Sequence, residues 1–460
     1  MTTPAPFSVS GQRVVVVGAA RSGVAAAHLL VTRGASVILT DTREAIEPAD
    51  ELRRAGVVLE LGGHRAETLN GADLIVLSPG VSPRQADVAA ARAAGVPVIG
   101  ELELASRWLS GRIVAVTGTK GKSTTTTLIG RMLEAGGLKA AVGGNIGVPL
   151  STQVAASAPD VIHVVEASSF QLETTDQFRP WIAVLLNLSA DHLDRHASLE
   201  EYAAAKGRIF SNQQADDVAV VNVDDAPSLA LARTRARLVP LSPSAAIADG
   251  IVITPDAIAH RRAGVDSPLV PVSSVRLLGR HLLTDVAAAA AVAEIAGVSA
   301  EAMVRAVEGF TGLEHALEVV GEIGGVRFVN DSKATNIEAA RRAIESMGDG
   351  VVVVLGGRFK GGDFADLKAP LAERGATVVT IGESRALIRE ALASALPVHE
   401  VEDMSSAVRR AFASASPGQT VVLAPACSSF DMFRDYAERG RVFKQEVRKL
   451  QEEWNTTREQ

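Results

Sequence analysis

Three times in this chain a short β-branched run drives straight into a glycine turn: VVVVGAARSG around residue 18, AVTGTKGKST around 118 and VVVLGG around 356. Strand, glycine turn and helix start make up the opening of a βαβ unit, which obliges neighbouring strands to lie parallel with helices on both faces. The same rhythm fills the intervals. Apolar runs at 14–17, 37–39, 74–77, 113–116, 161–165, 184–186, 218–221, 351–355, 378–381 and 421–423 alternate with Ala/Leu/Arg-rich helical stretches such as 23–33, 86–94 and 123–134. At 460 residues the chain is too long for one core and suits about three. The expected fold class is therefore α/β in three domains: a Rossmann-like N-terminal domain (1–100), a P-loop-type ATPase centre (101–312) and a Rossmann-like C-terminal domain (313–460). The joins are placed at Gly100, after VPVIG, and at Gly312, before a fresh strand in 319–329. Residues 238–275, with five prolines and weak periodicity, read either as a small antiparallel patch or as a long surface loop.

Composition narrows the function classes. The net charge of −7 argues against a nucleic-acid binder, which needs surplus Lys and Arg for phosphate. A single cysteine, Cys427, forbids an intramolecular disulfide and a Cys-based zinc site. Nothing reads as a membrane span or a signal peptide, so a cytoplasmic location is expected.

The sharpest local signal is GTKGKST, Gly118 to Thr124, between a strand and a helix. Backbone N–H groups of Gly118, Thr119, Lys120 and Gly121 and the helix dipole would face a polyphosphate. Lys122 would reach its outer phosphates, and the hydroxyl of Ser123 or Thr124 would hold Mg²⁺. The loop is shorter than the general P-loop, because Val116 stands where that pattern starts. The first glycine turn, Gly18 to Gly23, has Ala20 where a dinucleotide fingerprint has its second glycine, although Asp41 ends the next strand at a suitable distance. It reads better as a Rossmann-like site for another phosphorylated ligand. Glu166, at the end of a buried strand, is a Mg²⁺ candidate. In NLSADHLDRH the spacing of Asp191, His192, Asp194 and His196 does not suit zinc, and His192 is read as part of a Mg²⁺/phosphate site. Taken alone, Lys206 reads as a solvated helix lysine and Cys427 as a small buried hydrophobe.

Together these segments resemble the Mur ligase family: AVTGTKGKSTTTT, GGNIG at 143–147, EASSFQLETT, NLSADHLDR followed by the AAK of Lys206, NDSKATN, GGRFKGGDF and APACSSFDMF, in order and nearly end to end. SSFQLETT and SKATN favour the branch that adds D-glutamate to UDP-N-acetylmuramoyl-L-alanine in peptidoglycan synthesis. The resemblance implies an ATP- and Mg²⁺-dependent carboxylate–amine ligase that works through an acyl phosphate, with no nucleic-acid or membrane partner and as a monomer. It implies roles for residues. Lys122, Glu166, His192, Lys206 and Lys333 would be catalytic, with Ser123, Glu166, His192 and Lys206 (as a carbamate) at the metal. The loop Gly118–Thr124 and Asp331 would bind ATP. Gly18, Ser22, Asp41, Thr42, Arg43, Ser78, Gly80, Asn145 and Ser168 would hold the UDP substrate. Lys333, Thr335, Lys360, Ser429, Phe430 and Tyr436 would surround the amino acid.

Three positions depart from the family pattern. H-N-x-x-N on the adenine side is here His281-Leu282-Leu283-Thr284-Asp285, H-R-x-E is His315-Ala316-Leu317-Glu318, and Lys120 stands where Asn is frequent. Adenine would be held differently, with Lys120 or a nearby Arg partly replacing the charge lost at Ala316. Rival readings are a related or folylpolyglutamate-type ligase taking another amino acid such as L-glutamate, an NAD(P)-linked oxidoreductase built on the first glycine turn, and a non-catalytic nucleotide-binding regulator. The retention of Glu166, His192, Lys206 and Lys333 speaks against the last. The charged C-terminal helix, 436–454, reads as a solvated surface element.

Overall fold

The computed structural model describes residues 7–189, 191, 195–276, 282–310 and 312–458. They form two compact units, the first running to Val275 and resuming through Gly309, the second comprising Arg276 and the residues from Phe310 onward. The first unit holds two sheets and the second holds one.

The N-terminal sheet comprises β1 (Arg13–Val17), β2 (Ser36–Asp41), β3 (Val58–Leu61), β4 (Leu74–Leu77) and β5 (Val98–Gly100), all parallel, in the order β3-β2-β1-β4-β5. Val14 and Val16 point into one apolar layer and Val15 and Val17 into the other. A strand covered on both faces has no polar side to show, which is why VVVV carries no alternation. After β1 the chain crosses to β2 on one side; β4 and β5 lie on the other. The crevice beyond the ends of β1 and β4 is thus a topological switch point, where open α/β sheets take their ligands.

The central sheet contains β6 (Arg112–Thr117), β7 (Lys139–Gly144), β8 (Val161–Glu166), β9 (Ile182–Leu185), β10 (Val218–Asn222), β11 (Arg237–Ser242), β12 (Gly250–Ile253), β13 (Ala257–Arg262) and β14 (Val265–Pro271), in the order β14-β13-β12-β11-β10-β9-β6-β8-β7. It is parallel from β7 through β12 and antiparallel at β12-β13-β14. That ribbon settles the open stretch 238–275: strands occupy most of it. The helix Leu282–Ile295 is buried all round from Asp285 to Ala293. Its run of alanines lets it lie close against the helix Lys122–Ala135 that follows β6.

The second unit contains β15 (Glu318–Ile323), β16 (Val326–Asn330), β17 (Val352–Gly356), β18 (Thr377–Ile381), β19 (Val398–Glu400) and β20 (Thr420–Leu423), in the order β15-β16-β20-β17-β18-β19. The expected strand in 319–329 is two strands, an antiparallel hairpin turning at Gly324 and Gly325. The helix Tyr436–Arg458 corrects a second expectation. It is charged outside, but Phe443, Val447 and Leu450 are buried against Phe328, Val421 and Leu423, and Trp454 meets Phe412 edge-on at 5.3 Å. The 3.6-residue spacing of these apolar groups defines an inner face that the surrounding charge obscures.

Candidate functional site

β6 ends in the loop Gly118–Gly121, and the helix Lys122–Ala135 begins immediately after it. Gly121 caps this helix with φ +80°, a left-handed conformation that costs an L side chain about 1–2 kcal/mol. Space forbids a side chain there too, since a Cβ on Gly121 would lie 2.0 Å from Asp285 Oδ1. The loop is braced from β9. Thr119 N–H donates to Asn187 O (3.0 Å), Lys120 N–H to Asn187 Oδ1 (2.9 Å), and Ser189 N–H to Thr119 Oγ1 (3.0 Å). Lys122 donates to Thr119 O at 2.9 Å, which folds its ammonium back over the loop. Ser123 and Thr124 open the helix.

Glu166 ends β8, the neighbour of β6, and is buried. Its Oε1 accepts from Asn145 Nδ2 at 2.6 Å, while Oε2 has no hydrogen-bond partner. A buried carboxylate oxygen without a donor, beside a phosphate-type loop, is the chemistry of a divalent-cation ligand. Lys206 overturns its bland reading: it is 1% exposed, donates to Gly118 O at 2.7 Å, and packs over the Tyr202 ring at 4.7 Å. Burial and the neighbouring Lys122 push its ammonium down to about 6, against the pull of Asp191 and Glu166. The amine is therefore neutral at physiological pH and able to act as a nucleophile. Tyr202, one helical turn before Lys206, also bonds Thr119 Oγ1 at 3.1 Å, and its phenol is pushed up to about 12 by burial. Asp285, in the position that breaks the adenine-side pattern, is buried and pushed up to about 7 by desolvation. His192 lies outside the described residues.

The switch point of the N-terminal sheet opens into a cleft of about 250 Å³ lined by Ala20, Arg21, Ser22, Ser78, Pro79 and Gly80 on one side. Gly144 at the end of β7, Asn145, Gly147 and Pro149 on the loop after it, and Gln171 line the other. Asn145 thus touches both the cleft and Glu166. Gly18 turns with φ +95°, and a Cβ there would lie within 3 Å of both Ser78 and Val81. Asp41 accepts from Ala19 N–H (2.6 Å) and from Arg43 N–H, Nε and Nη2 (2.9 Å each). Arg43 holds this carboxyl well below the ordinary range. Asp41 therefore shapes the glycine turn and aims Arg43, while Thr42 is exposed beside them. Ser168 lies one turn from the cleft residue Gln171 and forms a capping box with it.

Sequence reasoning missed a pair of arginines that join the segment starting at the cleft residue Gly80 to the central region. Arg195 donates to Gly80 O (3.0 Å) and Val81 O (2.8 Å), and Arg84 pairs with Glu173 (3.0 Å) and with Glu201. These six residues come from segments far apart in the sequence, so no local motif marks them.

In the second unit the ends of β16, β17 and β20 gather the remaining candidates. Asp331 is buried, accepts from Leu317 N–H at 3.2 Å, and is pushed up to about 7 by desolvation. Lys333 follows with its N–H on His315 O (3.0 Å), and Lys360 Nζ reaches Thr335 Oγ1 at 3.5 Å. Ser429 is buried, whereas Phe430 (63%) and Tyr436 (41%) are exposed. Cys427 is buried, bonded to Ser384 Oγ at 3.3 Å, and its thiol is pushed up by burial.

Residues 12–100 match the Mur ligase MurD-like N-terminal domain, 116–293 the Mur ligase middle domain, and 317–427 the Mur ligase glutamate ligase domain. The UDP-N-acetylmuramoylalanine–D-glutamate ligase of Acidobacterium capsulatum is 46% identical over 444 residues, covering 95% of this chain and 96% of that one. Its counterpart from Koribacter versatilis is 42% identical over 97% of this chain and 99% of that one. Among solved structures, the UDP-N-acetylmuramate-alanine ligase MurC of Thermotoga maritima aligns over 95% of this chain and 99% of its own. The TM-score is 0.60 at 18% identity, a likeness of fold.

Proposed function

The chain belongs to the Mur ligase family, and from that premise we propose that it joins D-glutamate to the alanyl carboxylate of UDP-N-acetylmuramoyl-L-alanine in peptidoglycan synthesis. The family forms amide bonds at the expense of ATP, typically with Mg²⁺. A carboxylate is a poor electrophile. Its oxygen therefore attacks the γ-phosphorus, ADP leaves, and the resulting acyl phosphate carries a good leaving group. The amino nitrogen then adds to the acyl carbon, and the tetrahedral intermediate expels phosphate.

In this reading residues 1–100 hold the UDP end, with Ser22, Ser78 and Gly80 in the cleft and Thr42 and Arg43 at its nucleotide side. Residues 101–312 bind ATP on Gly118–Thr124, with Lys122 at the outer phosphates. Glu166, Ser123 and His192 would hold Mg²⁺, which supplies charge neutralisation on the phosphates. Lys206 would carry a carbamate. A neutral, buried amine adds to CO₂ where an ammonium does not; the nitrogen loses one proton to solvent, and the product offers an anionic oxygen donor in place of the amine. Residues 313–460 take the amino acid on Lys333, Thr335, Lys360, Ser429 and Phe430, with Asp331 towards the ATP ribose. Among the described residues no helix is long and apolar enough to cross a membrane. In this proposal the enzyme works as a monomer in the cytoplasm, where ATP and the nucleotide-linked substrate are.

The observation that carries the proposal is the agreement with D-glutamate ligases across 95% of the chain. The test is ADP release with UDP-N-acetylmuramoyl-L-alanine and D-glutamate, L-glutamate or meso-diaminopimelate. Turnover with D-glutamate alone is expected. Turnover with another amino acid but not D-glutamate would overturn the reading.

A further inference from the structure

Apart from Tyr436, the candidate amino-acid residues of the second unit sit on three loops that belong to no sheet or helix, and one side chain bonds two of these loops and lies close to the third. Arg439, on the helix Tyr436–Arg458, is 1% exposed. Its Nε donates to Ser332 Oγ (2.9 Å) and Nη2 to Ser332 O (2.9 Å), on the loop after β16 that continues into Lys333 and Thr335. Its Nη1 donates to Cys427 O (3.0 Å), on the loop after β20 that continues into Ser429 and Phe430. The loop after β17, leading to Lys360, passes so close that a Cβ on Gly357 would lie 3.2 Å from Nη1. Ser332 Oγ in turn donates to Tyr436 O at 2.7 Å, tying the fork back to its own helix.

Two features show that these loops need holding. Ala426, next to Cys427, has φ +60°, a left-handed conformation that persists in a non-glycine residue only where its surroundings over-determine it. Its N–H donates to Ala334 O at 2.9 Å, so the loops after β16 and β20 also touch directly. Among the described residues all the hydrogen bonds of the Arg439 guanidinium go to two carbonyls and a hydroxyl, none to a carboxylate. A guanidinium buried without a carboxylate partner is an expensive component, whose planar fork of donors no other side chain reproduces.

We propose that Arg439 is a positioning residue for the amino-acid site: its guanidinium ties the loops after β16 and β20 together, against the loop after β17, in the register that presents Lys333, Thr335, Lys360 and Ser429 to a dicarboxylic amino acid. The proposal rests on the amino-acid reading of this unit given above. Lysine keeps the charge but not the fork, so Arg439→Lys separates the two. Ser332→Ala removes one acceptor and leaves the buried cation in place, which keeps the test open if Arg439→Lys folds poorly.

Steady-state kinetics with all three substrates should show KM for D-glutamate rising at least about tenfold in Arg439→Lys, the scale of one lost charge-assisted hydrogen bond, while KM for ATP and for the UDP substrate stays within about twofold. Ser332→Ala should shift the same constant in the same direction by less. Millimolar guanidinium should partly restore Arg439→Ala and leave Arg439→Lys unchanged. Amide hydrogen exchange over 332–335 and 427–430 should accelerate in both Arg439 variants without any substrate. Unmoved D-glutamate KM in both Arg439→Lys and Ser332→Ala overturns the proposal. So does a uniform rise in all three KM values, or unaltered exchange in those two segments. Wild-type protein that ignores D-glutamate overturns the functional reading instead, and the exchange experiment still decides for or against Arg439.

Discussion

Replacing Lys206 by methionine should make the protein more stable while abolishing ligation. The magnitude follows from burial. An ordinary lysine holds its proton up to 10.5, whereas Lys206 gives it up at about 6. At pH 7.5 the unfolded chain carries that proton and the folded chain does not, so folding must strip it across three units, costing about 4 kcal/mol. Methionine fills a similar volume without that cost and forfeits the hydrogen bond to Gly118 O, worth about 1 kcal/mol, for a net gain of about 3 kcal/mol. The sign is checkable. The folded pKa lies below the unfolded one, so the unfolded state binds the extra proton between about 6 and 10.5, and wild-type stability climbs with pH through that window. The advantage of Lys206→Met should therefore shrink by about 3 kcal/mol between pH 7 and pH 9. Calorimetric melting of both proteins at the two pH values measures this directly, and bicarbonate should raise the melting temperature of the wild type alone by binding only its folded amine. A variant no more stable than wild type at pH 7.5, or an advantage independent of pH, would refute the argument that burial neutralises this lysine.

Two further outcomes test the phosphate loop. Gly121→Ala, which forces a left-handed alanine against Asp285, should weaken binding of a non-hydrolysable ATP analogue by at least about tenfold in calorimetric titration. Gly137→Ala, at φ +79° in open space, should cost only about 1–2 kcal/mol of stability and leave that binding unchanged. Asp285→Asn should raise the melting temperature at pH 8 and not at pH 4. The folded pKa of about 7 lies above the ordinary 3.8, so the stability of the native Asp is highest below about 4 and is lost as pH rises to about 7; the amide never ionises.

Strands and glycine turns were legible because a strand buried on both faces has to be apolar throughout, as VVVV in β1 and VVVLG in β17 show. The phosphate loop was legible for the same kind of local reason: turn, lysine and hydroxyl are contiguous at 118–124. What stayed hidden depends on residues far apart in the chain. Lys206 reads as solvent-facing because AAAK shows no long apolar side chain; the loop at Gly118 covers it only once the end of β6 and the helix Leu199–Gly207 meet. Arg439 reads as one more charge in a charged helix, since its partners lie twelve residues before it and 107 residues before it. Arg195 and Arg84 bond residues far from them in the chain, Gly80 and Val81 in one case and Glu173 and Glu201 in the other. Asp285 was visible as a departure, but its position beneath Gly121 was not.

The order of strands in the second unit has a consequence for how that unit assembles. β16 and β17 follow one another in the chain yet never pair; β20 occupies the place between them. The layer β17-β18-β19 is built from neighbours, and so is the hairpin β15-β16. Joining the two halves waits on a strand that arrives about ninety residues after β16, which is the slow, high-contact-order step. Until β20 is seated, the loops bearing Lys333 and Lys360 are parts of two separate objects. A folding intermediate of this unit can therefore be rich in secondary structure and still hold no amino-acid site.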